Sequence, residues 1–378
     1  MVEPRERLAF TLAQLAEGGN GLRSVVEWFA LAPHLGTEIA VSSEEVTALG
    51  KISPSRWVES ETAGIEPAVL YALIEKELVL AEGSAAAARD ERLRDTHWHP
   101  ASATMHYTSR WRNVDTEAAE REYAEVLRGD FLPCLGSPPS LVRERTAADR
   151  RRRLPAPEAS MLDLLLGRRV TCRNFSRTCA LTQAEFSAVL YRSYGARAVD
   201  EFAPGITLQK KGVPSAGGLH ATEAYLLVQR VDGVAPGLYH YHPVDHALEP
   251  IRALDANEAA KLARRFVAAQ GYFADAHVLV VPASRFRRNF WKYRNHAKAY
   301  RALILDVGHL SQTMYLAATE LGLAAFVTAA INEADIEEAF GLDPLEEGAL
   351  AVSGFGRRAA ERGEVEFDPL HAVWPAAG

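Results

Sequence analysis

A glycine-rich stretch followed directly by a short apolar run most constrains what this chain can fold into. The stretch runs from Gly212 to His220, and the apolar residues 224–228 follow it closely. Its proline fixes φ and lacks an N–H, while its two adjacent glycines can take positive φ and let a ligand approach the backbone. A serine adds a hydroxyl that can donate or accept a hydrogen bond. The pattern predicts a cradle for a flat or phosphorylated cofactor, the alternative being an ordinary turn before a strand. The residues of this cradle are Pro214, Ser215, Gly217 and Gly218.

Bulk properties limit the function classes. A chain of 378 residues predicts two or more domains. The formal net charge of -7 gives no reason to expect nucleic-acid binding. No apolar stretch reaches the length of a membrane-spanning helix, and the charged N-terminus predicts no signal peptide. Three cysteines are few and odd in number, which argues against a disulfide framework. Their scarcity favours a reducing compartment such as the cytoplasm. They are Cys134, Cys172 and Cys179.

The first 145 residues read as a mainly helical accessory domain. Residues 1 to about 30 place Leu8, Leu12 and Leu15 at helical spacing, which predicts helix. Residues 66–80 form an amphipathic stretch that resembles the recognition helix and wing entry of a winged-helix module. The alternative is a helical layer with no binding role. His97 and His99 have no further ligand at a familiar spacing, so we predict surface or packing roles and no metal site.

A Pro-rich and basic passage marks a domain boundary. It ends in four consecutive arginines, 150–153, which read as a solvated linker, with a peptide- or nucleic-acid-binding patch as the alternative. We therefore predict an accessory domain over 1–145, a linker over 146–158 and a second domain over 159–378.

Three further segments of the second domain carry chemistry. Basic residues with a hydroxyl between them, at the end of the helix that Ser160 is predicted to cap, suit a phosphate. A basic aromatic stretch, 287–301, leads into a long amphipathic helix. A final apolar strand, 323–328, leads into a small-residue turn, and arginines follow a last Gly-x-Gly. For the first segment the alternative is a basic helix end that satisfies carbonyl groups. The residues in question are Arg169, Thr171, Arg173, Lys292, Tyr293, Ala329, Ala330 and Arg357.

Three motifs together resemble the SagB-type branch of the nitroreductase-like flavoproteins, which oxidise azolines to azoles in ribosomally made peptides. They are Pro-Ser-Ala-Gly-Gly-Leu-His at 214–220, Glu-Ala-Tyr-Leu-Leu-Val at 223–228 and Gly-Leu-Tyr-His-Tyr at 237–241. The resemblance covers about the C-terminal 225 residues. It implies an α+β nitroreductase-like fold that binds FMN at the interface of a homodimer, beside the mainly helical, winged-helix-like N-terminal domain. In this branch such N-terminal modules often hold precursor peptide.

The resemblance also assigns roles. It implies a phosphate grip from Arg169, Thr171, Arg173 and Arg357, with Val170 standing where a second arginine is usual. Ring contacts would come from Pro214, Ser215, Gly217, Gly218, Ala329 and Ala330. Lys292 and Tyr293 match the catalytic pair, but the spacing to the following Tyr-Arg is about two residues longer than the family pattern, so Arg294 or Lys298 are the alternatives.

The predicted function is FMN-dependent dehydrogenation of a modified precursor peptide, azoline to azole. The chain has no P-loop, so a separate cyclodehydratase would act before it. The alternatives are an NAD(P)H-dependent nitro- or quinone reductase for small molecules, and a flavin-free scaffold that only holds precursor peptide.

Overall fold

The computed structural model describes residues 1–127 and 136–375, so Cys134 lies outside the described residues. Two compact units result: residues 1–110 with 286–302, and residues 111–285 with 303–378. This division does not coincide with the boundaries predicted at 145 and 158. Residues 111–127 belong to the second unit because, for example, the Thr116 N–H donates to the Ala268 carbonyl at 3.0 Å.

The first unit begins with a three-stranded antiparallel sheet in the order β1-β2-β3. The helix predicted over residues 1 to about 30 is wrong. The glycines around Asn20 turn the chain back, with positive φ at Gly18 and Gly21, so residues 2–10 and 22–30 pair as two strands. Of the apolar residues counted at helical spacing, Leu8 lies in the first strand, and Leu12 and Leu15 lie in a short helix. The strands are β1 (Val2–Phe10), β2 (Leu22–Ala32) and β3 (Thr37–Val41), with the short helix α1 (Leu12–Ala16) between the first two.

Helices predominate in this unit after residue 42. Ser42 caps the first of them in a capping box with Glu45. Trp98 packs its ring 4.5 Å from Phe286 and 4.7 Å from Phe290, which explains why the segment 286–302 belongs here. The helices are α2 (Ser43–Leu49), α3 (Pro67–Glu75), α4 (Ala85–Asp95), α5 (Pro100–Thr108) and, from the later segment, α11 (Phe286–Phe290).

The second unit is organised around a seven-stranded antiparallel sheet. Its order is β10-β12-β9-β6-β7-β8, and β11 pairs with β9. The apolar run after the cradle lies in β6, and a hairpin joins β6 to β7. The sheet strands are β6 (Thr222–Val228), β7 (Gly237–His242), β8 (Ala247–Ala253), β9 (Val278–Arg285), β10 (Ala324–Thr328), β11 (Glu347–Ala349) and β12 (Val352–Gly356). A separate two-stranded hairpin consists of β4 (Ala196–Ala203) and β5 (Ile206–Lys211).

Both faces of this sheet are covered by helices, which confirms the α+β class. Alternation along β6 sends Leu226 to one core and Leu227 to the other. One core includes residues of α8 and α12, and the other includes residues of α9 and α13. The predicted caps Ser160 and Thr182 begin α7 and α8. The helices are α6 (Thr116–Leu127), α7 (Met161–Arg168), α8 (Gln183–Ser193), α9 (Ala256–Phe266), α10 (Gly271–Ala274), α12 (Lys298–Glu320) and α13 (Glu333–Phe340).

Candidate functional site

The predicted cradle is an exposed loop directly before β6. Residues 216–218 form a short 3-10 turn, with φ of 61° at Gly217 and 71° at Gly218. A Cβ at Gly218 would have Leu208 Cδ1, 3.8 Å away, as its nearest neighbour, so the glycine is required by the left-handed backbone and not by crowding. Within this loop Pro214 and Gly217 are exposed, whereas Leu219 is buried.

Asp306 on α12 holds this loop, and the sequence analysis missed it. The Ser215 hydroxyl donates to Asp306 Oδ2 at 2.6 Å, and the Ala216 N–H donates to Oδ1 at 3.0 Å. Ser215 Oγ in turn accepts the N–H of His220 at 2.9 Å. The serine hydroxyl predicted to contact a ring thus has its hydrogen directed to Asp306. An acidic residue on the otherwise apolar face of Leu303, Val307 and Leu310 is the signal that could have found this carboxylate.

The predicted phosphate-binding residues after α7 lie beside a second side chain of α12. Thr171 Oγ1 is 3.0 Å from the Tyr315 hydroxyl, and the Arg169 guanidinium lies 5.3 Å from the centroid of the Tyr315 ring. Burial raises the pKa of Tyr315, so its hydroxyl is neutral at physiological pH. Val170, which replaces the usual second arginine, is buried. We call residues 169–171 the arm.

The remaining predicted phosphate ligands face carboxylates and carbonyls. The Arg357 guanidinium donates to both oxygens of Glu185, at 2.7 and 3.0 Å, and to the Ala180 carbonyl. Arg173 donates its backbone N–H to Glu366 at 2.6 Å. Its side chain donates to the Val365 carbonyl at 3.3 Å. A phosphate role for Arg357 stays a prediction, and it would require this guanidinium to leave Glu185.

The small-residue turn after β10 offers one exposed backbone position. The Ala330 N–H donates to Thr328 Oγ1 at 3.2 Å, and its carbonyl accepts from Gln270 Nε2 at 2.8 Å. Ala329 is exposed. Of the two N–H groups predicted to meet a ring, that of Ala329 is the better candidate.

The loop and the arm attach to different sides of the second unit. Asp306 and Tyr315 are nine residues apart on α12, which is two and a half turns, so they project from opposite faces of the helix. The loop also leads into β6, whereas Thr171 bridges Ala325 on β10, three strands away in the sheet. At about 4.8 Å per strand, these attachment points are roughly 14 Å apart.

The predicted catalytic pair belongs to the first unit, whereas all the predicted cofactor residues belong to the second. Lys292 and Tyr293 follow α11 in a turn, where Lys292 is exposed and Tyr293 is half-buried. The alternatives Arg294 and Lys298 are exposed as well. All three cationic side chains are thus accessible to solvent.

Residues 1–127 and 136–375 contain no group of three His, Cys, Asp or Glu side chains able to hold a metal ion. Within the same ranges, no helix is long and apolar enough to cross a membrane.

The sequence pattern of the nitroreductase family matches residues 166–357, which is half of the chain. The chain belongs to the nitroreductase family. A protein named as a nitroreductase in Methanocaldococcus jannaschii is 31% identical over 185 residues, 49% of this chain and 86% of that protein. The family is one of oxidoreductases that generally bind flavin, and its match confirms the nitroreductase-like fold predicted for the C-terminal region.

Two peptide-processing proteins are also similar to the chain, in agreement with the SagB-type resemblance. The trifolitoxin-processing protein TfxB of Rhizobium leguminosarum bv. trifolii is 32% identical over 160 residues, 41% of each chain. The microcin B17-processing protein McbC of Escherichia coli is 26% identical over 160 residues, 39% of this chain and 54% of McbC. The chain thus matches about half or less of the length of these two relatives.

Proposed function

We propose that this protein is an FMN-dependent dehydrogenase that oxidises azolines to azoles in a ribosomally made precursor peptide. The similarity to two peptide-processing proteins carries the peptide part of the proposal. Nitroreductase family membership carries the flavin part. Bound FMN would accept the hydride from one ring carbon while a base of the protein takes the proton from its neighbour.

The residues present fit FMN. The loop has two left-handed glycines, of which Gly217 is exposed, and their lack of a Cβ suits the approach of a flat ring. Arg169 and Thr171 supply a cation and a hydroxyl for a phosphate. Among the described residues no carboxylate pairs with Arg169, which distinguishes it from Arg357.

The separation of loop and arm supports a homodimer. Because they attach to opposite faces of α12, one chain does not bring them together at their attachment points. A twofold axis places the loop of one copy near the arm of another if α12 lies at the interface. Exposed apolar side chains on α12 support such an interface, Ile304 at 45% and Leu305 at 60% exposure.

Complementation between two defective copies tests the shared site. We combine Arg169→Ala, which damages the arm, with Gly218→Val, which strains the loop, and purify the mixed dimer through two different tags. If each site takes its loop and arm from different copies, the mixed dimer regains about one FMN site in two. A mixed dimer that binds no more FMN than either parent would show that the sites are not shared.

The base is assigned to Lys292 or Tyr293. Lys292 Nζ lies 5.9 Å from the centroid of the Tyr293 ring. Replacing Lys292 with alanine should lower turnover of a synthetic thiazoline peptide by at least about a hundredfold, the usual contribution of a general base. Lys298→Ala is the matched control. If Lys298→Ala abolishes turnover and Lys292→Ala does not, the register is wrong.

The first unit is proposed to hold the peptide along β3, an edge strand of its sheet. Lys76 Nζ donates to the Ala40 carbonyl at 3.1 Å, so that carbonyl points away from β2, and by alternation the backbone groups of Glu38 point the same way. A cavity of about 590 Å³ lies along this strand, lined by His34, Ile39 and residues of α3 and α4. An extended peptide can add a strand to such an edge. Amide hydrogen exchange should slow at Glu38 and Ala40 when the thiazoline peptide binds, and unchanged exchange would remove this surface from the proposal.

The first experiment is the visible absorption spectrum of the purified protein, followed by mass spectrometry of the cofactor that heat releases. Flavin bands with released FMN are the expected result. A colourless protein that takes up no added FMN would overturn the dehydrogenase proposal in favour of a peptide-holding scaffold.

A second candidate is a small-molecule nitro- or quinone reductase, because the M. jannaschii relative aligns over 86% of its length. Stoichiometric reduction of the bound flavin by NADPH, without turnover of the thiazoline peptide, would favour it.

A further inference from the structure

Asp306 is a buried carboxylate in an apolar setting. Only 4% of its surface is exposed, and its helix neighbours Leu303, Val307 and Leu310 are buried core residues. Burial of a carboxylate is unfavourable unless hydrogen bonds compensate for the lost water. A leucine at this position would pack the same face without that penalty, so the carboxylate needs a reason beyond helix packing.

Within the part of the chain that the structure describes, the side-chain hydrogen bonds of Asp306 all go to the loop 215–220. Its two oxygens accept from the Ser215 hydroxyl at 2.6 Å and from the Ala216 N–H at 3.0 Å. The chain of hydrogen bonds continues, since Ser215 Oγ accepts from the His220 N–H at 2.9 Å. The carboxylate therefore fixes both ends of a six-residue loop, directly at Ser215 and through the serine at His220.

The backbone between these ends is one that few sequences adopt unaided. Gly217, Gly218 and His220 all have positive φ, at 61°, 71° and 44°. A left-handed histidine has no glycine-like freedom, so its conformation must be held by its surroundings. The hydrogen bond from its N–H to Ser215 is such a restraint.

We propose that Asp306 and Ser215 act as a positioning pair that sets the loop in its flavin-binding conformation before the flavin arrives. This inference rests on the proposed FMN site. Neither side chain needs to touch the flavin, because the pair acts through the backbone of residues 216–220. Pre-organisation of this kind strengthens binding by removing the ordering penalty that the ligand would otherwise overcome.

Asp306→Asn is the decisive variant. The amide has nearly the same shape, but its N–H₂ can meet Ser215 Oγ only as a donor, so the charge-assisted hydrogen bond from the Ser215 hydroxyl is lost and that hydroxyl must turn away. We expect FMN to dissociate at least tenfold more readily, measured by the recovery of flavin fluorescence on titration. The visible spectrum of the flavin that still binds should shift towards that of free FMN.

Ser215 provides an independent test. Ser215→Ala should reproduce the loss in affinity, and Ser215→Thr, which keeps the hydroxyl, should restore most of it. Since the two side chains act in one chain of hydrogen bonds, the double variant should bind FMN no more weakly than the worse single variant. A purely structural role would lower thermal stability in these variants but leave the FMN affinity of the folded protein unchanged.

Glu45→Gln is the matched control. Glu45 is a buried carboxylate of the first unit that accepts a backbone N–H at 2.7 Å in a capping box, and it is not part of the proposed site. The Glu45→Gln variant should have a lower thermal stability and an unchanged FMN affinity. The inference is overturned if Asp306→Asn or Ser215→Ala folds and binds FMN within about twofold of the unmodified protein. If the unmodified protein itself binds no FMN, the proposed function fails, and the inference fails with it.

Discussion

The two arginine clusters predicted to grip a phosphate differ in what faces them. Arg169 lies over the ring of Tyr315 beside the Thr171 hydroxyl. Arg357 and Arg358 instead meet carboxylates, Glu185 and Glu366. A guanidinium over a neutral ring keeps its N–H donors for an incoming anion. A guanidinium in an ion pair already directs N–H donors at a carboxylate. The side chains that contact the arginines, and not the number of arginines, therefore decide which cluster suits a phosphate.

The carboxylates of the second cluster are adapted to these pairs. Burial alone would raise the pKa of Glu185, but hydrogen bonds from Thr182 and the charge of Arg357 hold it below the usual range. Burial would also raise the pKa of Glu366. Hydrogen bonds from Trp374, Arg173 and Asn174 outweigh this effect, so its pKa is lowered too. Both groups are thus ionised partners of their arginines at neutral pH.

The largest expected effect comes from removing Glu366. This carboxylate accepts from the Trp374 indole at 2.8 Å and from the Arg173 N–H at 2.6 Å, and it pairs with Arg358. Glu366→Ala leaves the half-buried Arg358 without its counter-charge and removes the acceptor of the Trp374 and Arg173 hydrogen bonds, so the free energy of unfolding should fall by about 3 kcal/mol or more. Urea denaturation measures it. Glu338→Ala, which breaks the exposed pair with Arg112, should have no measurable effect. Equal losses for the two variants would contradict the structural role of Glu366.

Arg169→Ala should have the next largest effect. Loss of one charge-assisted contact to a phosphate, about 1.5 to 3 kcal/mol, predicts FMN binding weaker by about 10- to 100-fold. Titration by flavin fluorescence measures this, and Arg168→Ala, one residue earlier and exposed, is the control. An unchanged affinity would remove the arm from the cofactor site.

Local sequence patterns predicted the second unit well. The helix cap at Ser160 and the apolar strand predicted over 323–328 are where the sequence placed them. These features depend on neighbours within a few residues. The helix expected over residues 1 to about 30 failed because two strands paired across a glycine turn also place apolar residues at intervals that mimic helical spacing.

The partners of the site residues were out of reach of such patterns. Asp306 is 91 residues from Ser215, and Glu366 is 193 residues from Arg173. Only the fold brings these groups together, and no spacing rule links them. The sequence could therefore name Ser215 and Arg357 as candidates but could not show that their donors are directed at carboxylates.

Glu347 is a half-buried carboxylate of the second unit that has no ion pair with an arginine among the described residues. Tyr225 donates to its Oε2 at 3.1 Å, while its buried Oε1 has no hydrogen-bond partner among the described residues. Burial, followed by the charge of Glu223, raises the pKa of Glu347 from 4.5 to about 7, against smaller opposing effects of Arg285 and His240. It is therefore largely protonated below pH 7 in the folded state.

This raised pKa predicts a pH dependence with a definite sign. The folded state holds the proton more tightly than the unfolded state, so this group's effect on stability is most favourable below about pH 4.5 and declines as the pH rises through about 7. Glu347→Gln removes the titration. The difference in the free energy of unfolding between the variant and the unmodified protein should therefore grow in favour of the variant by roughly 2 kcal/mol as the pH rises from 5 to 8. A constant difference across this range, in urea denaturation at several pH values, would contradict the shifted pKa.

Arg357→Ala should have the smallest effect and decides the comparison of the two clusters. Its guanidinium serves Glu185, so removing it should lower the free energy of unfolding by about 1 kcal/mol and leave FMN affinity within about threefold. Fluorescence titration beside Arg169→Ala gives both affinities under one set of conditions. If Arg357→Ala weakens FMN binding as much as Arg169→Ala does, Arg357 must leave Glu185 when the phosphate binds. Glu185→Gln would then strengthen FMN binding, because it would release the arginine in advance.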